Sequence, residues 1–348
     1  MPNSSIIQPS DRILVTGANG FIGTRVVASL LEQGFGTVRC MVRPSSRRAS
    51  LEAVLQGHSA RHAEIVAGDL TSRDDCVRAA RDVCVVLHLA AGFDKSFAGA
   101  FMNSAIATRN LIEAFLDAGR PSRFVNVSSF AVYSNLALAR DALLDETCAL
   151  EAAPQRRYDA YGFGKLKQEE VVREYGRSHG LRHVILRPGT VYGPGKKDLT
   201  GRIGFDFLGV FVHVGGTNEL PLTYVDNCAD AVVLAGLVPG IDGEVFNVVD
   251  DERMTSAQFL RAYRTKAGKL RTLRMPYAVA QRLCRFWERY SEQSLGQLPP
   301  AYNPLRCAAE WKGNRYTNAK LRERLGWCPR VPLDQAMDRY LAQFSAGA

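Results

Sequence analysis

The stretch that most constrains this chain is RILVTGANGFIG at 12–23. A short apolar strand, 13–16, runs directly into Gly17, Gly20 and Gly23, and an apolar helical run follows through Val26, Val27, Leu30 and Leu31. Glycines at this spacing permit a sharp turn and a close approach of backbone to phosphate. They also let the helix sit tight on the sheet with its amino end facing a pyrophosphate. Elsewhere such a triplet is an ordinary turn; between strand and helix near the chain start it meets the context of a dinucleotide site. Gly17, Asn19, Gly20, Phe21, Ile22 and Gly23 are therefore expected to hold a dinucleotide.

The chain has 348 residues, 46% of them hydrophobic, near the length at which one core divides into two. Residues 1–12 are mostly polar and do not resemble a secretory signal, so none is expected, and no run approaches the roughly 18 apolar residues of a membrane span. The eight cysteines are scattered without a CxxC pair or a histidine cluster. Neither a metal site nor a disulfide framework is expected, and a reducing, cytoplasmic setting is. The net charge is +9, with small basic knots at 43–48 and 261–274. This reads as a basic surface able to steer an anionic cofactor or substrate, not as a nucleic-acid site.

The second strand, 37–42, ends at Arg43. The acid that would accept the adenosine ribose hydroxyls is absent. Arginine there can pair with a 2′-phosphate, which favours NADP over NAD, with NAD as the alternative. A helix is expected at 51–56 and a strand at 64–67. Asp69-Leu70 follows that strand, where an acid can accept from the adenine amino group. After a helix at 74–80, the strand 83–89 is continuously apolar apart from His88, as a parallel strand covered on both faces should be. His88 reads as a hydrogen-bonded core histidine rather than a catalyst. Leu89, Ala90 and Ala91 end the strand and leave room for a cofactor.

A helix at 100–118 and a strand at 124–127 lead to Ser129. Strand and helix alternate throughout, so the fold class is α/β, a doubly wound parallel sheet of the Rossmann type, with ligand groups at the carboxyl ends of the strands. Residues 135–157 are expected as loop with short helical pieces, 158–179 as helix and 183–186 as strand. Pro188 follows, in a proline- and glycine-rich hinge ending near Gly195. One helical and one extended piece are expected in 196–222, a helix from Asp226 or Asn227, and a strand at 245–248. The tail is expected as helices at 257–267, 279–290 and 318–325, with a loop at 293–304. The nucleotide domain is therefore assigned 11–195, with 223–250 returning to it. Residues 196–222 and 251–348 form a smaller, interleaved, mostly C-terminal substrate domain.

Tyr161 and Lys165 stand four apart and share a helix face. Passing a hydride to or from a carbinol carbon requires exchange of the hydroxyl proton. A tyrosine can do this if its pKa, ordinarily about 10, is brought down by a nearby ammonium. Ser129 would hold the substrate oxygen, and Lys165 can also bond the nicotinamide ribose.

These residues resemble the extended short-chain dehydrogenases/reductases of the NAD(P)-dependent epimerase/dehydratase family. The matching pieces are TGANGFIG at 16–23, GDL at 68–70, HLAA at 88–91, VSSFAVY at 127–133, YGFGK at 161–165, LRPGTVYGPG at 186–195 and YVDNCADAV at 224–232. The resemblance implies a Rossmann domain with a small substrate domain, Ser129, Tyr161 and Lys165 as the catalytic set, Asp69 near adenine, and a homodimer joined through helices around 100–118 and 158–178. Phe130-Ala131 stands where the 4,6-dehydratases carry Asp-Glu, which argues against dehydration. No arginine lies between Arg202 and Arg253, where nucleotide-sugar enzymes commonly bind pyrophosphate; Lys196, Lys197 or Arg202 would have to serve. The wording LPLTYVDN is nearer the 3β-hydroxysteroid dehydrogenase-like and dihydroflavonol reductase-like branches. A reductase/dehydrogenase is thus expected, with a sugar or nucleotide-sugar epimerase as the alternative. The substrate pocket is expected around Phe93, Phe130, 191–192, 205–211 and Tyr302, an apolar and aromatic set.

Overall fold

The computed structural model describes residues 5–58, 62–92, 94–118, 120–267, 270–295 and 297–345. Seven strands form one parallel sheet: β1 (Arg12–Thr16), β2 (Val38–Val42), β3 (Glu64–Ala67), β4 (Val83–His88), β5 (Arg123–Val127), β6 (His183–Pro188) and β7 (Val245–Val248). Their order is β7-β6-β5-β4-β1-β2-β3. The winding reverses between β1 and β4, and that reversal opens a crevice at the strand ends.

Helices cover both faces, which is why the central strands are buried and largely apolar. On one side α1 (Phe21–Glu32) and α6 (Val225–Leu237) bury Val26, Leu30 and Val232 against Val15, Val85 and Val125. On the other, α3 (Arg73–Ala80), α4 (Ala107–Asp117) and α5 (Ala160–His179) bury Leu111, Phe115 and Val172 against Leu14, Val86 and Phe124. A further helix, α2 (Ala49–Gly57), lies between β2 and β3. The helix expected at 100–118 is broken up. A single α turn, Phe97–Ala100, passes into a π-helical segment, Phe101–Ile106, before α4 begins. The wide π turns face α5 at Gly164, where a Cβ would lie 2.9 Å from Ser104 Oγ and 3.2 Å from the Ala100 carbonyl.

Two local expectations are corrected. Residues 196–222 contain no helix; Gly204–Phe207 and Val210–His213 form an antiparallel hairpin. The pattern GFDFLGVFVH alternates, and Leu208 and Gly209 both adopt positive φ, 51° and 77°, the two-residue turn that such hairpins favour. Nor do residues 135–157 contain a helical piece; Leu143–Leu144 instead pairs with Arg315–Tyr316 from far along the chain.

The tail forms α7 (Ser256–Lys266), α8 (Tyr277–Gln293), α9 (Pro304–Trp311), α10 (Ala319–Leu325) and α11 (Leu333–Ser345). Strand Thr272–Arg274 joins the hairpin beside Val210–His213, and α8 and α9 pack on that small sheet through Ala280, Cys284, Cys307 and Trp311. Asn227 in α6 fastens the tail: its amide exchanges hydrogen bonds with the Val331 backbone at 2.9 Å each way.

Candidate active site

Every residue singled out from the sequence as catalytic or cofactor-holding lines a single cavity of about 1390 Å³ at the strand ends. Gly17 has φ +67°, and a Cβ on it would press on the Ala90 backbone at 3.0 Å. A Cβ on Gly23 would lie 2.1 Å from the Gly17 carbonyl oxygen. Only glycine fits either place, so α1 starts directly under the end of β4. Gly20 caps α1 with no side-chain hydrogen bond, and no acid occupies its first turn. The amino end of α1 therefore offers backbone N–H groups and a positive dipole end to an anion. This is the chemistry a dinucleotide pyrophosphate needs, and the cradle fits it.

Arg43, Asp69, Leu70, Leu89, Ala90, Ala91 and Pro188 surround the rest of the dinucleotide side. Arg43 is exposed at the end of β2. Asp69 accepts from the Thr71 amide and hydroxyl through Oδ1, at 2.8 and 2.7 Å. Asn19 donates to the Arg47 carbonyl and ties the glycine turn to the loop after β2.

Ser129 ends β5 and caps the short 3-10 turn Phe130–Val132, accepting from the Ala131 amide at 3.2 Å. It lines the cavity beside Tyr161, and its hydroxyl favours the ionised form of that phenol. Tyr161 enters in the first turn of α5, which Asp159 caps by accepting from the Gly162 amide. Burial pushes the Tyr161 phenol above its ordinary value; the Ser129 hydroxyl opposes this and the Asp159 charge adds to it. Lys165, one turn on and 3% exposed, donates to the Val127 carbonyl at 2.6 Å and to Gln168 Oε1 at 2.9 Å. Burial lowers its pKa to about 7, partly offset by Glu169. Lys165 is not among the groups that shift the Tyr161 phenol, whose largest influence is burial.

Gln168 is a residue the sequence reading missed. Its Nε2 lies 2.9 Å from both His88 Nε2 and Thr108 Oγ1, while His88 Nδ1 meets Thr16 Oγ1 at 2.7 Å. Because a Gln amide nitrogen only donates, His88 Nε2 accepts from it and Nδ1–H donates to Thr16. A continuous hydrogen-bonded chain runs from β1 through His88 and Gln168 to Lys165. His88 is fully inside it, its pKa lowered by burial to about 3, as befits a neutral core histidine. The available signal was spacing: Gln168 follows Lys165 by three, on the same helix face.

The far side of the cavity is polar and charged. Asn135, Arg157, Asp159, Lys196, Thr200, Arg202, Arg306 and Glu310 line it. Arg157 is held by the Ala131 and Tyr133 carbonyls and by Asp159. Arg306 pairs with Glu310 at 3.1 Å, Arg202 donates to the Ala309 carbonyl, and Lys196 donates to the Val191 carbonyl. Of the aromatic pocket expected from the sequence, Phe130 and Val191 line the cavity. Phe205 instead packs against Tyr302 and Trp311, and Tyr192 sits in a core cluster with Tyr224 and Tyr340. Those rings close the second layer's own core, which leaves arginines to face the cleft. Phe93 lies outside the described residues.

A doubly wound dinucleotide fold with serine, tyrosine and lysine gathered at its crevice defines a nicotinamide-dependent enzyme class. The chain belongs to the NAD dependent epimerase/dehydratase family, whose model matches residues 13–248, and it is an enzyme of the extended short-chain dehydrogenase/reductase type. A 3-beta-hydroxysteroid dehydrogenase of Mycolicibacterium neoaurum is 28% identical over 353 residues, covering 96% of this chain and 91% of that protein. Among solved structures, gox2253 superposes with a TM-score of 0.76 at 23% identity over 97% of this chain and 98% of that one. The UDP-glucuronic acid 4-epimerase of Bacillus cereus, in complex with UDP-glucuronic acid and NAD, gives 0.71 at 22% identity over 96% of this chain and 99% of that one. Among the described residues, no helix is long and apolar enough to cross a membrane.

Proposed function

We propose that the enzyme reduces a ketone, or oxidises the matching secondary alcohol, on a polar and anionic substrate, with Tyr161 exchanging the hydroxyl proton. The observation that carries this reading is the gathering of Ser129, Tyr161 and Lys165 on the wall of one crevice, with Lys165 buried one turn further along α5. Residues 17–23 would hold the pyrophosphate, Asp69 and Leu70 the adenine side, Ala90, Ala91 and Pro188 the nicotinamide side, and Lys165 the adjoining ribose. When bound, the nicotinamide supplies or takes the hydride. Ser129 orients the substrate oxygen, and Tyr161 gives that oxygen a proton during reduction or removes it during oxidation.

Arg43 supports NADP over NAD, since it stands where an acid would repel a 2′-phosphate. The substrate-holding part is proposed as 196–222 with 251–348, which supply Lys196, Arg202, Arg306 and Glu310 to the cleft. A homodimer through the helices of 97–117 and 160–179 is supported by the exposure of Phe101 and Met102, and a cytoplasmic setting by the eight free cysteines.

A second reading, an epimerase of a nucleotide sugar, is favoured by Lys196, Arg202 and Arg306, which could meet a diphosphate although the usual arginine is absent. Following NADPH and NADH consumption across a panel of uronic, phosphorylated and steroid ketones separates the two readings. Net consumption with an anionic ketone supports the reductase. Firmly co-purifying NAD with epimer exchange and no net turnover supports the epimerase. Unchanged turnover in Tyr161→Phe would refute both.

A further inference from the structure

Beyond the cleft, and independent of what it turns over, the small sheet and α8 carry a second surface. Residues 261–293 hold nine basic side chains and two acids, Glu288 and Glu292; on α8 itself the charged groups are Arg282, Arg285, Arg289 and those two glutamates. Several exposed large apolar side chains lie on α8. Val279, Leu283, Phe286 and Tyr290 are 42%, 52%, 70% and 51% exposed. They are spaced four, three and four apart, so at about 100° per residue all four fall within an arc of roughly 60° on α8.

The helix is divided lengthwise. Ala280, Cys284 and Ser291 form its buried face, and the bare apolar stripe adjoins them. Along the other flank of the stripe runs a row of exposed arginines, Arg282, Arg285 and Arg289, none of which forms an ion pair among the described residues. Leu273 at the sheet edge and Phe207 and Leu208 at the hairpin tip, all exposed, belong to the same layer. An apolar stripe flanked by cations whose stems can lie along it suits a helix that rests in the plane of a lipid headgroup region. A span is ruled out by length and charge, but a span is not needed.

We infer that α8 docks this enzyme on an anionic bilayer surface, with Leu283 and Phe286 entering the headgroup–acyl boundary and Arg282, Arg285 and Arg289 pairing with lipid phosphates. The charge chooses the occupant. A second copy seated on the stripe would bring another row of arginines beside Arg282, Arg285 and Arg289, whereas anionic lipid phosphates neutralise the row.

The test is sedimentation of the full-length protein with vesicles of phosphatidylcholine alone or with about one-third phosphatidylglycerol. Trp287 supplies a second readout. It is half-buried on α8, whereas Trp311 and Trp327 are 2% and 1% exposed, so a blue shift of emission on binding reports α8. Wild type is expected to bind the anionic vesicles at least about tenfold more tightly than neutral ones, with release near ~0.5 M salt. Arg282→Gln/Arg285→Gln/Arg289→Gln and, separately, Leu283→Ser/Phe286→Ser are each expected to lose about tenfold while keeping the wild-type melting temperature and dinucleotide affinity. Equal binding to both vesicle types, no binding, or unaltered binding by both variants would overturn the proposal. So would a change in oligomeric state of Leu283→Ser/Phe286→Ser by sedimentation velocity, which would make the stripe a protein interface.

Discussion

At the scale of single residues, the site is set by what burial does to three groups. Tyr161 is pushed up, Lys165 down to about 7 and His88 down to about 3, each chiefly by desolvation. Tyr161→Phe removes the exchangeable proton and keeps the ring, so kcat should fall about 10²–10⁴-fold with little change in KM or melting temperature. Lys165 gives a signed prediction for stability. Between about pH 7 and its ordinary value of 10.5, the unfolded chain holds a proton on this side chain that the folded chain has released. Stability from this group therefore rises with pH, by at most about 1.4 kcal/mol per unit. Urea unfolding at pH ~7 and ~9 should show that rise in wild type and a flatter response in Lys165→Met. The sequence disclosed Ser129, Tyr161 and Lys165 because their spacing and chemistry are local. It did not disclose that Gln168 and His88 would engage Lys165, since that depends on α5 lying across the end of β4.

At the scale of elements, the glycine turn and α5 bear most of the construction. Gly23→Ala would drive a methyl into the Gly17 carbonyl, at 2.1 Å, and must lift α1 from its turn. Dinucleotide affinity, read by fluorescence titration, should drop at least about tenfold, because the amide donors of that turn are displaced together. Behind the site, Glu169 of α5 receives Arg187 of β6 in a two-pronged pair at 2.9 and 2.7 Å, both side chains being essentially buried. Burial alone would raise the Glu169 pKa, but Arg187 and Arg173 bring it below its ordinary value. Glu169→Gln leaves the Arg187 guanidinium buried without its counter-charge and should cost about 3–5 kcal/mol in urea denaturation. Alternation of apolar strand and amphipathic helix made all seven sheet strands legible beforehand. The hairpin at 204–213 was hidden because a leucine takes the first left-handed place in its turn, where asparagine or glycine would have announced it. The π segment was hidden because nothing in FMNSAI departs from helical spacing; it arises against Gly164 of a helix some sixty residues later in the chain.

At the scale of the whole molecule, the two layers are laced together by chain crossings rather than joined by a linker. The Asn227 amide holds Val331 from both sides and donates to Asp250, while the Trp327 indole donates to the Asn227 carbonyl. Asn227→Ala strands buried polar groups on both partners, each worth about 1–3 kcal/mol. Melting should fall by several degrees, with proteolysis entering first between residues 327 and 345. By itself the sequence determined the Rossmann sheet, the glycine turn between β1 and α1, the Tyr161–Lys165 spacing on α5 and the absence of an acid after β2. All of these rest on residues near one another in the chain, where periodicity and turn chemistry act directly. Only the tertiary structure decided the character of the far side of the cavity. Arg157, Arg202 and Arg306 come from segments up to about 150 residues apart, and aromatic residues that looked destined for the cleft were spent on packing the second layer. It likewise decided that the positive charge and the unpacked apolar face of α8 share one surface, because burial depends on which neighbours arrive, and a helix cannot announce in its own sequence which of its faces will be left bare.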